Sequence, residues 1–316
     1  MTVLVDTIKP FPGYRIVEQI YLGSRTIVYR GIREQDHKPV IIKMMRNEYP
    51  SFNEIAQFRN QYSITKNLNL SGIIKTYSLE NYRNGYAIVM EDFGGVSLKQ
   101  WIGKNIETLP INLQTFLDIG IQITSILDGL HRHRIIHKDI KPANILIHPN
   151  TKEVRIIDFS IASVLPRELQ SLTNPNILEG TLTYISPEQT GRMNRGIDYR
   201  ADFYSLGVTF FELLTGQLPF INTDQMELVY CHIAKEPPRL SYINPKIPSI
   251  LSDIISKLMA KNAEDRYQSA LGLKYDLELC KQQWQQTEKI DSFELATRAQ
   301  MLNADTKLYI ESDTEP

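Results

Sequence analysis

The sequence predicts an α+β chain: about ninety β-rich residues carrying one main helix, then a larger helical part. Three observations predict it. Runs of β-branched and aromatic residues parted by turn signals fill most of the segment before Asp92. Among them, Ser51-Phe52-Asn53-Glu54 fits a helix capping box. From Ser97 onward, apolar residues recur at helical spacing.

Taken in order, Tyr14 to Ile20, Thr26 to Ile32 and Pro39 to Met45 read as strands, separated by Gly23-Ser24 and by Glu34 to Lys38. The capped helix follows, and steps of three and four put Phe58, Gln61, Thr65 and Leu68 on its inward stripe. Ile73 to Leu79 and Tyr86 to Glu91 read as two more strands, parted by a turn over Asn81 to Gly85. Leu113 to His133, Asp202 to Leu214 and Ile250 to Ala260 are periodic helices, with short strands at Ile145 to Ile147 and Val154 to Ile157. Between Ser160 and Tyr199 there is little periodicity, and a loop of that length inside a domain is usually functional. After about Leu279 the chain turns polar and Gln-rich and ends in the acidic Glu311 to Pro316, a segment expected to fray.

Composition narrows the function. The chain has 316 residues, 42% hydrophobic and 22% charged, with a formal net charge of −1. No global field favours nucleic acid or an anionic membrane, so neither is expected as a partner. Met1 to Tyr14 lacks the basic-then-apolar pattern of a signal peptide. The most apolar stretch, Tyr204 to Leu214, falls far short of the ~20 residues that span a bilayer. Cys231 and Cys280 have neither disulfide-framework nor metal-ligand spacing. The expectation is a cytoplasmic protein without membrane insertion.

Chemistry enters at His137-Lys138-Asp139-Ile140-Lys141-Pro142-Ala143-Asn144, followed fourteen residues after Asn144 by Asp158-Phe159-Ser160 at the end of an apolar strand. Upstream, Val40-Ile41-Ile42-Lys43 ends a buried-looking run in a lysine, and Val89-Met90-Glu91-Asp92-Phe93 leaves a strand for a turn. Downstream lie Gly180 to Glu188, Asp202 to Gly207, and Arg266 in Glu264-Asp265-Arg266-Tyr267. Any one of these acids alone is ordinarily a solvated carboxylate or a cap. Their joint order and spacing resemble the eukaryotic-type serine/threonine protein kinase family, over about Tyr14 to Leu279. The runs Gly180 to Arg195 and Leu258 to Tyr267 look like the kinase domains that begin large bacterial signalling proteins, in which an ATPase module, sensory domains and often a histidine kinase follow.

The resemblance implies a bilobal fold, with an extension at 1–13, a kinase domain at 14–279 (N-lobe about 14–91, C-lobe about 96–279) and a polar tail or linker at 280–316. It implies ATP and Mg²⁺ as cofactors, a protein substrate, and further signalling modules in cis or trans. Asp139 would act on the substrate hydroxyl, Lys141 would neutralise the transferred phosphate, and Asn144 and Asp158 would bind the metal. Lys43 would contact the ATP phosphates. Gly23, Val28, Met90, Glu91, Phe93 and Leu146 would complete the nucleotide site, with Met90 as gatekeeper. Thr173, Thr181 and Thr183, along with Ser171, are candidate acceptors in the activation segment, and Lys138 a candidate partner for a phosphate there. Lys141-Pro142 and Thr181 favour serine and threonine over tyrosine.

Several positions depart from the family pattern. Of the three loop glycines only Gly23 is present, with Tyr21 and Thr26 in the other places. Gln61 stands where a glutamate usually pairs with the lysine, and can accept one hydrogen bond but offers no opposite charge. Glu54, seven residues earlier, lies roughly 10 Å away along the helix axis and cannot take over. Ile41 replaces an alanine, Thr65 an apolar residue, and Ser160 a glycine, placing a residue that disfavours positive φ after the metal-binding pair. These departures motivate a second reading, a pseudokinase or nucleotide-binding regulatory module. A small-molecule phosphotransferase fits less well, because such proteins lack the Gly180 to Glu188 segment.

Overall fold

The computed structural model describes residues 11–104, 111–164, 167–168, 181–193 and 195–297. The described residues form two compact units, one holding those up to Gly95 with Ile157–Ala162, the other those of Val96–Ile156 and from Ser163 onward.

The first unit is a five-stranded antiparallel sheet in the order β1-β2-β3-β5-β4, with one helix. Its strands are β1 (Tyr14–Leu22), β2 (Thr26–Arg33), β3 (Pro39–Met45), β4 (Thr76–Tyr82) and β5 (Gly85–Glu91). Alternation along β3 sends Val40, Ile42 and Met44 to one face, where they form a core with Phe11, Ala87 and Val89. Lys43 and Ile41 therefore take the other face, opposite Val28 and Ile88 and opposite Met90 respectively. Phe11, just ahead of the boundary expected at residue 13, is buried, stacks on Tyr14 at 5.0 Å, and its carbonyl accepts from the Tyr14 N–H. β4 begins at Thr76 rather than Ile73, although Ile73 and Ile74 are still buried.

Helix α1 (Phe52–Thr65) opens on the predicted reciprocal cap between Ser51 and Glu54. It buries Phe58, Gln61, Ile64 and Thr65 and ends before Leu68, which is only half-buried. The Thr65 hydroxyl sits 2.7 Å from that of Thr76, so two polar groups satisfy each other in a buried position.

The second unit is largely helical. Its short strands β6 (Val96–Ser97), β7 (Ile145–Ile147) and β8 (Val154–Ile156) form one small sheet, and β9 (Arg167–Glu168) pairs with β10 (Ile197–Asp198). The helices are α2 (Leu98–Lys104), α3 (Leu113–Arg132), α4 (Arg200–Thr215), α5 (Gln225–Ala234), α6 (Leu240–Ile243), α7 (Ser249–Leu258) and α8 (Ala270–Thr287). Helix α4 is buried nearly all round, with Glu212 its one partly exposed residue. Gly207 permits this packing, since a Cβ there would lie 2.7 Å from Met259 Cγ and 2.8 Å from Leu258 Cβ.

The segment expected as a polar tail or linker from residue 280 begins within a helix. Helix α8 runs through the Gln-rich stretch to Thr287, because Cys280 is buried and Lys281 pairs with Asp118 of α3 at 2.7 Å. Among the described residues no helix is long and apolar enough to cross a membrane.

Candidate active site

Each unit carries its own set of candidate groups. In the first, Lys43 Nζ donates to Gln61 Oε1 at 2.8 Å and to Asp158 Oδ1 at 3.0 Å, above the Phe58 ring at 5.5 Å. Gln61 is 3% exposed, and its amide nitrogen points at Met90 Sδ, 3.8 Å away. Gln61 thus supplies one uncharged acceptor, while the negative charge beside the lysine comes from Asp158.

Asp158 itself takes the left-handed conformation, with φ 68°. Ser160 is not among the positive-φ residues, so the strain expected from replacing a glycine there does not arise. The bend falls instead on an aspartate, a residue type that tolerates αL better than most. The loop is held from α1, where the Asn60 amide donates to the carbonyls of Ala162 (2.8 Å), Ser160 (3.1 Å) and Phe159 (3.3 Å). Asn60 escaped sequence reading because its partners are about a hundred residues away.

The β1–β2 turn is tied at two points: Gly23 N–H donates to Thr26 O, and Arg46 Nη1 donates to Gly23 O, both at 2.9 Å. A Cβ on Gly23 would lie 2.6 Å from Tyr21 Oη and 2.7 Å from its Cε1, so the glycine leaves room for the ring two residues earlier. Val28 and Met90 lie on the Lys43 face, and Glu91 and Phe93 follow at the end of β5.

In the second unit the groups gather on Asp139. Its Oδ2 accepts from Lys141 Nζ at 2.6 Å and from the Asn144 amide at 2.8 Å, and its Oδ1 from the Thr181 N–H at 3.2 Å. Lys141 Nζ also donates to Thr181 Oγ1. The Asn144 amide nitrogen donates a second time, to Asp139 O at 2.9 Å, so Oδ1 is the acceptor of that side chain. Asn144 Oδ1 and the Asp158 carboxylate are hard oxygen donors, the chemistry that suits Mg²⁺.

Asp202 supports this loop from below. It is fully buried, and its carboxylate accepts from His131 Nε2 (3.0 Å), the His137 N–H (3.0 Å) and the Lys138 N–H (2.8 Å). Burial alone would raise its carboxyl, but the His131 hydrogen bond, the charges of His131 and His137 and the His137 N–H together hold it below the usual range. Lys138 is buried and held here at φ 67°. Its carbonyl is bound by the Gln189 amide at 2.8 Å.

Leu146 is the half-buried middle residue of β7, between buried Ile145 and Ile147. Thr181 and Thr183 belong to a single 3₁₀ turn and its cap. Tyr184 in that turn donates to Glu212 Oε2 at 2.5 Å, and burial with that carboxylate raises its phenol. Behind it Arg266, 1% exposed, bridges Glu188 through both terminal nitrogens at 2.6 and 2.8 Å. Ser171, Thr173 and Gly180 lie outside the described residues.

Residues 14–284 match the family described as protein kinase domain. The chain is 33% identical to the serine/threonine-protein kinase PrkC of Bacillus subtilis over 84% of its own length and 40% of the relative's. It is 32% identical to the probable serine/threonine-protein kinase PknB of Lactococcus lactis, covering 80% of this chain and 40% of that protein. It is also 35% identical to the hybrid signal transduction histidine kinase G of Dictyostelium discoideum, over 55% of this chain and 7% of that protein. The chain therefore spans well under half the length of these relatives.

Proposed function

The chain belongs to the protein kinase domain family, and from that premise we propose that it transfers the γ-phosphoryl group of ATP to serine or threonine hydroxyls of proteins. The observation that carries this is the fixed Asp139 carboxylate, held by Lys141, Asn144 and the Thr181 N–H. A carboxylate so held can orient a hydroxyl and accept its proton as the new O–P bond forms and the bond from the γ-phosphorus to the β-phosphate oxygen breaks. Lys141 then sets a positive charge against the phosphoryl group in transit, and Lys43 binds the phosphates that remain on the nucleotide. Asp158 and Asn144 are the residues whose oxygens would hold magnesium, which would supply shielding of the phosphate charge.

The names of the relatives support the serine/threonine preference, as does the contact of Lys141 with Thr181. A signalling role, with further modules in cis or trans, is supported by the match to a hybrid histidine kinase over a small part of its length. Buried free thiols at Cys231 and Cys280 suit a reducing cytoplasm.

Radiolabelled ATP tests the proposal. Asp139→Asn abolishes labelling of self and generic substrate while nucleotide binding persists, and undiminished labelling in that variant refutes the role of Asp139. The neutral Gln61 favours a second reading, a nucleotide-binding module without transfer. Mg-ATP binding by the parent protein with no labelling of any substrate would establish it.

A further inference from the structure

Arg30 and Asp92 carry no role in the proposed transfer, yet their side chains tie β2 to the segment leaving β5. Arg30 Nε donates to Asp92 Oδ2 at 2.7 Å, while Asp92 Oδ1 accepts the Gly94 N–H at 2.9 Å. The second contact closes an Asx turn over residues 92–94, with Gly94 at φ 72°. In the sheet, β2 and β5 are not neighbours, since β3 lies between them. Arg30 is paired with Ile41, which is paired with Met90. The Arg30 side chain therefore crosses the Ile41 position to reach two residues beyond Met90. Its outer arm also contacts Glu18 of β1.

The two arms differ physically. The Asp92 side chain is 9% exposed and that of Glu18 51%. A screened pair such as Arg30–Glu18 contributes little, whereas the enclosed pair fixes both of its members. Asp92 lies between Glu91 and Phe93, whose backbone is the segment proposed to hold adenine. Fixing its carboxylate at both oxygens restricts the peptide planes on either side of it, so their N–H and C=O groups are aimed before nucleotide arrives.

We infer that Arg30 and Asp92 are positioning residues that preorganise the adenine-binding linker, so that they set nucleotide affinity rather than the rate of transfer. This rests on the proposed kinase reading for the identity of the nucleotide, though not for the tie itself. Ordering one or two residues in advance corresponds to a factor of roughly ten in binding.

The test uses the full chain, a fluorescent ADP analogue for binding and ATP-dependent labelling for turnover. Arg30→Ala is expected to weaken ADP binding about tenfold and to raise KM for ATP by the same factor, with kcat within twofold. Asp92→Asn keeps an acceptor for Gly94 but loses the charge, and falls between parent and Arg30→Ala. Arg30→Lys restores part of the affinity, and Glu18→Gln binds as the parent does. ADP binding by Arg30→Ala within twofold of the parent overturns the inference. So does an equal loss in Glu18→Gln, which would make Arg30 a staple of the β1–β2 hairpin. If Arg30→Ala fails to fold, Asp92→Asn decides on the same criterion. Absence of labelling in the parent would remove the kinase reading while the ADP measurement still judges the tie.

Discussion

Replacing Asp202 by asparagine keeps the shape of the side chain and changes what it can accept. The carboxylate meets three donors: His131 Nε2, the His137 N–H and the Lys138 N–H. An amide presents one oxygen and one NH₂, so at least one buried donor faces another donor. An unsatisfied buried donor costs about 1–3 kcal/mol, and each hydrogen bond that loses its charged acceptor weakens by about 1 kcal/mol. The sum is about 3–5 kcal/mol, a large part of the ~5–15 kcal/mol that holds a typical domain folded. Lys138, at φ 67°, is held by one of these bonds, so the loop ahead of Asp139 relaxes as well. Urea unfolding at pH 7 measures the first effect and ATP-dependent labelling the second, and both are expected to fall. The parent adds a pH signature. The folded carboxyl of Asp202 lies below its unfolded value, so its stabilisation is present above about pH 4 and is lost as pH falls through the lower folded value. A variant within 1 kcal/mol of the parent at pH 7 would refute this account of Asp202 as an acceptor that the fold depends on.

Gln61→Glu adds a charge to the Lys43 contact, strengthening it by about 1 kcal/mol, but leaves a second buried oxygen facing the Met90 sulfur at a cost of about 1–3 kcal/mol. Labelling is expected to rise less than about tenfold while stability to urea falls slightly, and a gain of more than 1 kcal/mol in stability would contradict the geometry. His232, buried in α5, is lowered to about 4 by burial and by the charge of Lys261, against a backbone hydrogen bond with Thr183 that raises it. Its folded value lies below its unfolded one, so the stability it gives is present above about pH 6.5 and is lost as pH falls toward 4, by roughly 3 kcal/mol in all. His232→Gln is expected to flatten urea stability over that window, and a parent already flat there would refute the assignment.

Much of the fold was legible because its signals are local. The capping box at Ser51 and Glu54, the alternation along β3 and the periodicity of α3 each need only a few neighbouring residues. The same holds for the cluster around Asp139, where Lys141 and Asn144 lie within five positions of the residue they hold. Less legible were the places where burial depends on distant partners: Phe11, which packs into the core of the sheet, and α8, where a Gln-rich stretch stays helical because Cys280 is buried and Lys281 finds Asp118.

By itself the sequence determined which chemical groups are present and in what order, and hence the family, the strand and helix types, and the candidacy of Lys43, Asp139, Asn144 and Asp158. Only the tertiary structure decided how these groups are held. It put the charge beside Lys43 on Asp158 while Gln61 supplies a neutral acceptor, and the left-handed bend on Asp158 rather than Ser160. It also brought Asn60 to the loop after Asp158, Asp202 beneath His137 and Lys138, and Arg30 across β3 to Asp92. The reason is physical: a hydrogen bond depends on where two atoms meet in space, and Arg30–Asp92, Lys138–Asp202, Asn60–Ala162 and Lys43–Asp158 lie 62 to 115 positions apart, over which spacing carries no information about contact.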